Sequence, residues 1–418
     1  MFHGCRICGS CMRVLFYNHT TNISGAERVL LLALKRLDRK EIEPFVVCPE
    51  GDLSRECTQL GVPVQVIREL NARFTLRPDK LAIYFLSLLK TVRELRNEII
   101  RAQVDAIHAN SIRAGIAALF ATLGTGHIVF WHVHDELKPH PVSSAIRLLV
   151  RASRRCRVIA VSEATASSFI GLILRGSQVT NPVAVIHNAV ELENIDQNSK
   201  RQDLRKELGI ERDSFLFGIV GQITPRKGQL ELVKTFAKAA KGMPLAKLLI
   251  VGKPIFNDDN IYNTKVAEAI NVSGLTDRLR FLGQRSDAQQ IIRELDALVI
   301  NSSSEAFVMV AIEAMACGTP VIATDVGGTR EMIQHQFNGW LIDHGDEGQL
   351  VEALITAYQD KESRQLFAER SRNIVEERLN APQFMGKFQS ALLSARKDDM
   401  HGLSFGSAVL KARAYENQ

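Results

Sequence analysis

No apolar run in this 418-residue chain approaches the ~18 residues needed to cross a bilayer as a helix. The longest candidate, Leu81-Ala-Ile-Tyr-Phe-Leu-Ser-Leu-Leu89, reaches about half that length, so no membrane-spanning helix is expected. A secretory signal is not expected either, because Arg6 and the glycines interrupt any apolar core near the start. Internal repeats and low-complexity segments are absent. Nucleic-acid motifs, and aromatics interleaved with basic residues, are also missing, so nucleic acid is not expected as a partner.

Cysteine is sparse, at seven residues. Cys48, Cys57, Cys156 and Cys317 are scattered in apolar or mixed contexts and read as reduced structural residues. Cys5, Cys8 and Cys11 have a spacing that suits zinc or an iron–sulfur cluster, but no fourth ligand has recognisable spacing and only His3 lies near. The simpler reading starts the fold at Met12-Arg-Val-Leu-Phe-Tyr-Asn18, with residues 1–11 as a leader.

What is present is ordinary for a globular protein: 46% hydrophobic and 23% charged residues, over a length that favours two or three domains. Charge is unevenly placed. Residues 1–195 hold 24 Lys and Arg against 17 Asp and Glu, a net +7, and the remainder 28 against 29, a net −1. Arg147, Arg151, Arg154, Arg155 and Arg157 are the densest cluster. It reads either as a solvated helix face or as an attraction for an anionic acceptor or membrane surface.

Short apolar runs alternate with amphipathic stretches, which predicts an α/β fold of parallel sheets covered by helices. Strands are expected at 13–18, 45–48, 64–67, 106–108, 128–132, 158–161 and 183–186, then at 215–220, 247–251, 279–281, 297–300, 321–324 and 339–342. Helical patterns lie between them, for instance at 26–37, 80–101, 112–123, 229–240, 264–271, 287–294, 307–316 and 349–359. The polar stretch near 190–212 marks a boundary. The expected organisation is a leader at 1–11, a first doubly wound domain at 12–195, a second at 196–380, and a helix and tail at 381–418. Ligands of such sheets bind beyond the carboxyl ends of the strands, which predicts a cleft lined by both domains.

The most informative stretch is Ser302-Ser-Ser-Glu305-Ala-Phe-Val-Met-Val-Ala-Ile-Glu313-Ala-Met-Ala-Cys-Gly-Thr-Pro320, in which seven helix-compatible residues separate two acids. Gly318, Thr319 and Pro320 end the run, so Glu305 falls in a strand-to-helix loop and Glu313 on the helix. At ~1.5 Å rise per residue the acids stand ~10 Å apart, about the distance from sugar to ribose in a nucleotide-sugar. The helix N-terminus between them offers free N–H groups to a diphosphate.

Other loops point the same way. Gly221-Gln222-Ile-Thr-Pro-Arg226-Lys227-Gly228 follows a strand and opens a helix, and its adjacent cations suit a diphosphate leaving group. The bland alternative is a solvated basic turn. Gly327 and Gly328 follow the strand ending at Thr324 and let backbone approach a phosphate. Ser24 and Gly25 open the first helix in the same manner. His132 and His134, at i and i+2 on an extended segment, point to one side. With Asp135 they suit a metal, a sugar hydroxyl or a phosphate, or a structural role.

Together these motifs resemble retaining glycosyltransferases of the GT-B fold, family 4, over residues 12–395. The second-half motifs are the most specific; Ser24-Gly-Ala-Glu-Arg-Val, His132-Val-His-Asp, Ile159-Ala-Val-Ser-Glu163 and Val185-Ile-His-Asn-Ala-Val190 support them. The resemblance implies two doubly wound, Rossmann-like domains and transfer from a nucleotide-diphosphate-sugar to a hydroxyl of a glycan or lipid-linked acceptor, with retention. It implies Lys227 and Arg226 on the donor diphosphate, beside Gly221, Gln222, Gly327 and Gly328. Glu313 is implied at the ribose. Glu305 is implied at the donor sugar, supported by the backbone of Ala306, Phe307, Val308 and Met309. His134 is implied at the sugar or acceptor, and Gly25 at the acceptor or phosphate. No cofactor and no metal are implied, since basic residues and helix dipoles supply the positive charge. The expected location is cytoplasmic, either free or peripheral at the inner membrane face, the second option resting on the basic first half alone.

Four positions depart from the family pattern. Gln222 stands where Arg is usual. Ala306 and Val308 replace glycines, with Val308 expected to narrow the sugar pocket, and Ser24 replaces the first of a glycine pair. Two other readings stay open: an epimerase or hydrolase of the same fold, which turns over donor without acceptor, and a non-catalytic sugar-nucleotide-binding subunit, which Gln222 and Val308 favour.

Overall fold

The structure, a computed structural model, describes residues 11–70, 78–170, 183–197, 204–255 and 257–400. The chain divides into two units, one ending at His187 and rejoined from Phe384 onward, the other Asn188–Gln383.

Unit 1 carries seven strands: β1 (Met12–Tyr17), β2 (Ile42–Cys48), β3 (Val64–Val66), β4 (Ala106–Ala109), β5 (Ile128–Val133), β6 (Cys156–Ala160) and β7 (Val183–Val185). They form one sheet in the order β3-β2-β1-β4-β5-β6-β7, every pairing parallel. Its helices are α1 (Gly25–Arg36), α2 (Asp52–Gln59), α3 (Pro78–Ala102), α4 (Ile112–Ala121), α5 (Pro141–Ala152) and α6 (Glu163–Ile170). Such strands are covered on both faces, which is why β4 and β5 are buried at every residue, His108 and His132 included.

Strand β2 begins three residues earlier than the sequence suggests, and Pro44 lies within it. Val46 donates its N–H to Pro63, on the β3 side. Pro44, two residues earlier, has its missing N–H on that same side, where β3 does not yet run alongside.

Unit 2 opens with α7 (Leu192–Gln197) and α8 (Leu204–Glu207). Its sheet holds β8 (Phe215–Val220), β9 (Ala246–Val251), β10 (Leu279–Gly283), β11 (Ala297–Ile300), β12 (Val321–Thr324) and β13 (Trp340–Ile342). The order is β10-β9-β8-β11-β12-β13, again with parallel pairings. Its helices are α9 (Gln229–Ala239), α10 (Asn257–Val272), α11 (Ala288–Glu294), α12 (Met309–Cys317), α13 (Glu347–Gln359) and α14 (Lys361–Arg378). Helix α15 (Ala381–Met400) belongs to unit 1 from Phe384 on.

The division at His187/Asn188 falls before the expected 195/196. Val190 bridges Asn380, with Val190 N–H donating to Leu379 and Ala381 N–H donating to Val190. These bonds hold the stretch after β7 to unit 2. Towards the end of the chain, Phe388 of α15 meets His108 edge-on and lies tilted against His132 of unit 1. Cys5 and Cys8, and residues 401–418, lie outside the described residues. Cys11 Sγ sits 3.7 Å from the Arg39 carbonyl.

Candidate active site

In each sheet one strand lies beside two neighbours reached by opposite windings. In unit 2 this switch falls between β8 and β11, and in unit 1 between β1 and β4. A crevice opens beyond the carboxyl ends of such strands.

In unit 2 the two loops at the switch hold each other. Strand β8 is followed by Gly221, whose φ of +151° suits glycine. Pro225–Lys227 forms a short 3-10 turn, and Gly228 caps α9 at φ +67°. A Cβ on Gly228 would stand 2.1 Å from the Asn301 carbonyl oxygen, so only glycine fits. Asn301 Nδ2 donates to the Gly228 carbonyl at 3.0 Å, and Ser303 N–H donates to the Arg226 carbonyl at 2.8 Å.

This pinning brings three charges together. Lys227 Nζ stands 2.5 Å from Glu305 Oε1, and Arg226 Nη1 stands 3.2 Å from the same oxygen. Arg226 also donates to the Ser304 carbonyl at 3.0 Å. Glu305 and Lys227 are largely buried, with side chains 8% and 16% exposed, while Arg226 is 44% exposed. Burial alone would push the Glu305 carboxyl up. Lys227 and Arg226 outweigh it and hold the group below its ordinary range. Lys227 shifts down as well, because burial and the nearby Arg226 outweigh the attraction of Glu305.

Glu305 precedes α12, which starts at Met309 with Val308 as its cap. Glu313 lies on the helix, ~6 Å along its axis from the first residue. Gly318 at φ +72° ends it. Val308 is 2% exposed with an ordinary φ of −86°, so its backbone does not need the glycine usual there. Gly327 opens a 3-10 turn at φ +52°, but the Gly328 N–H already donates to the Glu305 carbonyl at 3.1 Å. That bond fixes the glycine pair beside the acid. Gln222, in place of the expected arginine, donates Nε2 to Asp259 Oδ2 at 2.7 Å. Its carbonyl accepts from Gln229 Nε2 at 2.8 Å.

In unit 1 the switch gathers Asn18 and His19 after β1, and Asn110 and Ser111 after β4, residues that sequence reading did not single out. Ser24 caps α1, and the Glu27 carboxylate accepts from its backbone N–H at 3.0 Å. Gly25 starts the helix without a positive φ. His132 and His134 share one face of β5 and its end, ring centres 4.2 Å apart, as an extended backbone requires. His132 Nδ1 lies 3.2 Å from His108 Nε2, and His134 Nε2 lies 3.0 Å from Asn110 Oδ1. Burial holds His108 and His134 to about 3 and His19 to about 4, so all three are neutral imidazoles at pH 7. His19 Nδ1 pairs with Ser111 Oγ at 2.9 Å. The signal that could have found these residues was their place just beyond β1 and β4, which becomes meaningful only once the strand order is known.

Among the described residues no group of three or more His, Cys, Asp or Glu is placed to hold a metal ion, and no helix is long and apolar enough to cross a membrane. The arginine cluster is not a uniform free patch. Arg147 donates to Ser168 and Leu137 carbonyls at 2.8 and 2.9 Å. Arg155 donates to the Gly126 carbonyl, and Arg157 to Ser394 Oγ at 3.0 Å.

Comparison with known proteins adds to this geometry. A family model described as "Glycosyltransferase Family 4" matches residues 23–194, and one described as "Glycosyl transferases group 1" matches residues 200–374. The chain is similar to an Escherichia coli UDP-Gal:alpha-D-GlcNAc-diphosphoundecaprenol alpha-1,3-galactosyltransferase, 26% identical over 353 residues, 81% of this chain and 86% of that enzyme. An N-acetyl-alpha-D-glucosaminyl L-malate synthase of Bacillus anthracis is 29% identical over 199 residues, 48% of this chain and 50% of that enzyme. The solved structure of Anabaena Alr3699/HepE in complex with UDP-glucose superposes with a TM-score of 0.75 at 27% identity, covering 92% of this chain and all of that one.

Proposed function

From the premise that the chain belongs to the family 4 glycosyltransferases of the GT-B fold and transfers a sugar from a nucleotide-sugar, we propose a more specific reaction. A hexose moves from a UDP-sugar to a hydroxyl of a lipid-linked acceptor, with retention of anomeric configuration and without a resident metal ion. UDP appears in the names of the Escherichia coli and Anabaena proteins, and a diphosphoundecaprenol acceptor in the former.

One observation carries the reading: a single carboxylate oxygen of Glu305 lies between Lys227 and Arg226 at the β8–β11 switch. Two cations that grip one carboxylate oxygen offer the charge and donors that a phosphate oxygen takes, and one unit of positive charge remains uncompensated. Lys227 and Arg226 thus hold the diphosphate, with the first N–H groups of α12 adding their dipole. Glu313 takes the ribose hydroxyls and Glu305 the sugar, while Ser24, Gly25 and His134 serve the acceptor and sugar from unit 1. The bond between the anomeric carbon and the diphosphate oxygen breaks as the acceptor oxygen bonds to the same face. The acceptor proton passes to the departing diphosphate, whose developing charge the two cations stabilise.

Peripheral contact with an anionic membrane at the cytoplasmic face belongs to this proposal. The net +7 of residues 1–195 supports it, as do Ile83, Phe85, Leu86 and Leu89, exposed on α3. Binding to anionic vesicles at low salt checks it, and indifference to them refutes it.

The deciding assay supplies UDP-glucose or UDP-galactose and a diphosphoundecaprenol-linked sugar to purified enzyme, with and without chelator. The product should carry an α-linkage, at a rate insensitive to chelation and strongly reduced in Glu313→Ala. A β-linked product, or chelator-abolished turnover, refutes retention or metal independence respectively. Turnover of donor without acceptor favours the hydrolase.

A further inference from the structure

Asn18 directly follows β1 and Asn110 directly follows β4, on either side of the switch in unit 1. Both side chains are fully buried, and their backbones are locked, Asn18 N–H to Val47 and Asn110 N–H to Tyr17, each at 3.0 Å. The orientation of each amide is set by a partner that can only accept. Asn18 Nδ2 donates to the Thr20 carbonyl at 3.0 Å. Asn110 Nδ2 donates to the Ala26 carbonyl at 3.3 Å and to Asn18 Oδ1 at 3.2 Å. Neither amide can be turned over without setting its oxygen against a carbonyl.

Asn110 therefore presents Oδ1 to His134 Nε2, at 3.0 Å. An amide oxygen has no proton to give, so the proton of this hydrogen bond belongs to His134 Nε2. In the neutral ring the lone pair then lies on Nδ1. The ring is also held in place: His132 covers it at 4.2 Å between centres. His132 is in turn fixed by His108 at 3.2 Å and by Phe388 of α15. Turning the His134 ring over would break the bond to Asn110.

We propose that the Asn18–Asn110 amide pair is a positioning element that holds His134 as its Nε2–H tautomer, so that His134 meets a hydroxyl of the sugar or the acceptor as a hydrogen-bond acceptor through Nδ1. The second clause rests on the proposed part of His134 in the transfer; the tautomer itself rests on the hydrogen bonds alone. His134 is a substrate-contacting group in this account, and Asn110 and Asn18 act through it. A hydroxyl that donates to Nδ1 is distinguished from a group that can only accept, so the pair adds chemical selection to the unit 1 loops.

The test is a spectrum rather than a rate. Full-length enzyme with isotope-labelled histidine side chains reports, in a long-range proton–nitrogen correlation, which ring nitrogen carries the proton. His134→Gln identifies the signal by its loss. The wild type should show a protonated Nε2 and a bare Nδ1 at His134. Asn110→Leu, of similar size without an acceptor, should lose this pattern, with turnover falling roughly 10- to 100-fold. A wild-type proton on Nδ1, or an unchanged Nε2–H pattern in Asn110→Leu, overturns the proposal. If Asn110→Leu does not fold, the wild-type spectrum decides alone. Full turnover by His134→Ala alongside the stated wild-type tautomer overturns only the reading of His134 as a substrate contact.

Discussion

Replacing Lys227 by methionine, which keeps the length of the side chain and removes its charge, separates the ion pair from the packing around it. Glu305 takes Lys227 at 2.5 Å and Arg226 at 3.2 Å. Removing one partner of a buried pair costs about 3–5 kcal/mol when the other charge is left alone. Here Arg226 remains 3.2 Å from the carboxylate, so the cost should fall to about 2–3 kcal/mol. For a unit of this size each 1 kcal/mol moves the melting temperature by roughly 2–4 °C, giving a loss of roughly 4–12 °C. Adding Glu305→Gln to Lys227→Met removes the stranded carboxylate and should restore part of the loss, with a coupling of about 1–3 kcal/mol. Thermal unfolding of wild type, both single variants and the double variant closes the cycle. If the single effects add to within about 0.5 kcal/mol, the two residues do not act as a pair and the reasoning fails.

Other perturbations follow from the same geometry. Gly228→Ala combines a φ of +67° with a Cβ that would meet the Asn301 carbonyl. It should destabilise by at least ~1–3 kcal/mol, read as a denaturant midpoint, and an unchanged midpoint contradicts the loop geometry. Gly115→Ala places a Cβ 1.9 Å from Trp131 Cε2. It should displace the indole from its 2.8 Å bond to the Ser111 carbonyl, shifting tryptophan fluorescence, and an unshifted spectrum refutes the contact. The pH dependence has a definite sign. His108 and His134 fall from an ordinary 6.5 to about 3 on folding, so between those values the unfolded chain binds more protons. Stability should therefore drop as pH falls from about 6.5 towards 3 and be regained on return. Glu305, held below its ordinary range, adds a loss that begins as pH passes below ~4.3. Melting temperatures constant from pH 7 to about pH 4 would contradict the buried neutral histidines.

Most of the sheet architecture was legible because parallel strands covered on both faces leave short unbroken apolar runs, as in Phe215–Val220 and Val321–Thr324. Helix α14 was not, since only Phe367, Ser371 and Val375 of its eighteen residues are buried, too thin a stripe to stand out. The unit boundary was displaced because the bridge from Val190 to Asn380 leaves no local mark in either segment. The same contrast holds at the site. Gly228, Lys227 and Glu305 announce themselves, because a glycine beside cations and an acid before a helix are local patterns with a chemical reason. Asn18, Asn110 and His108 do not, because an amide pair acquires meaning only when β1 and β4 are known to be neighbours. Gln222 stands where the family pattern has arginine, and its bond to Asp259 shows where its amide is spent.

The central claim is that Arg226 and Lys227 grip the donor diphosphate at the end of β8. Calorimetric titration of UDP into wild type and into Arg226→Ala/Lys227→Ala tests it most directly. Two charge-assisted hydrogen bonds are each worth about 1.5–3 kcal/mol, so the double variant should bind at least roughly 100-fold more weakly. An affinity within about twofold of wild type, in a variant that still folds, would mean that the diphosphate lies elsewhere.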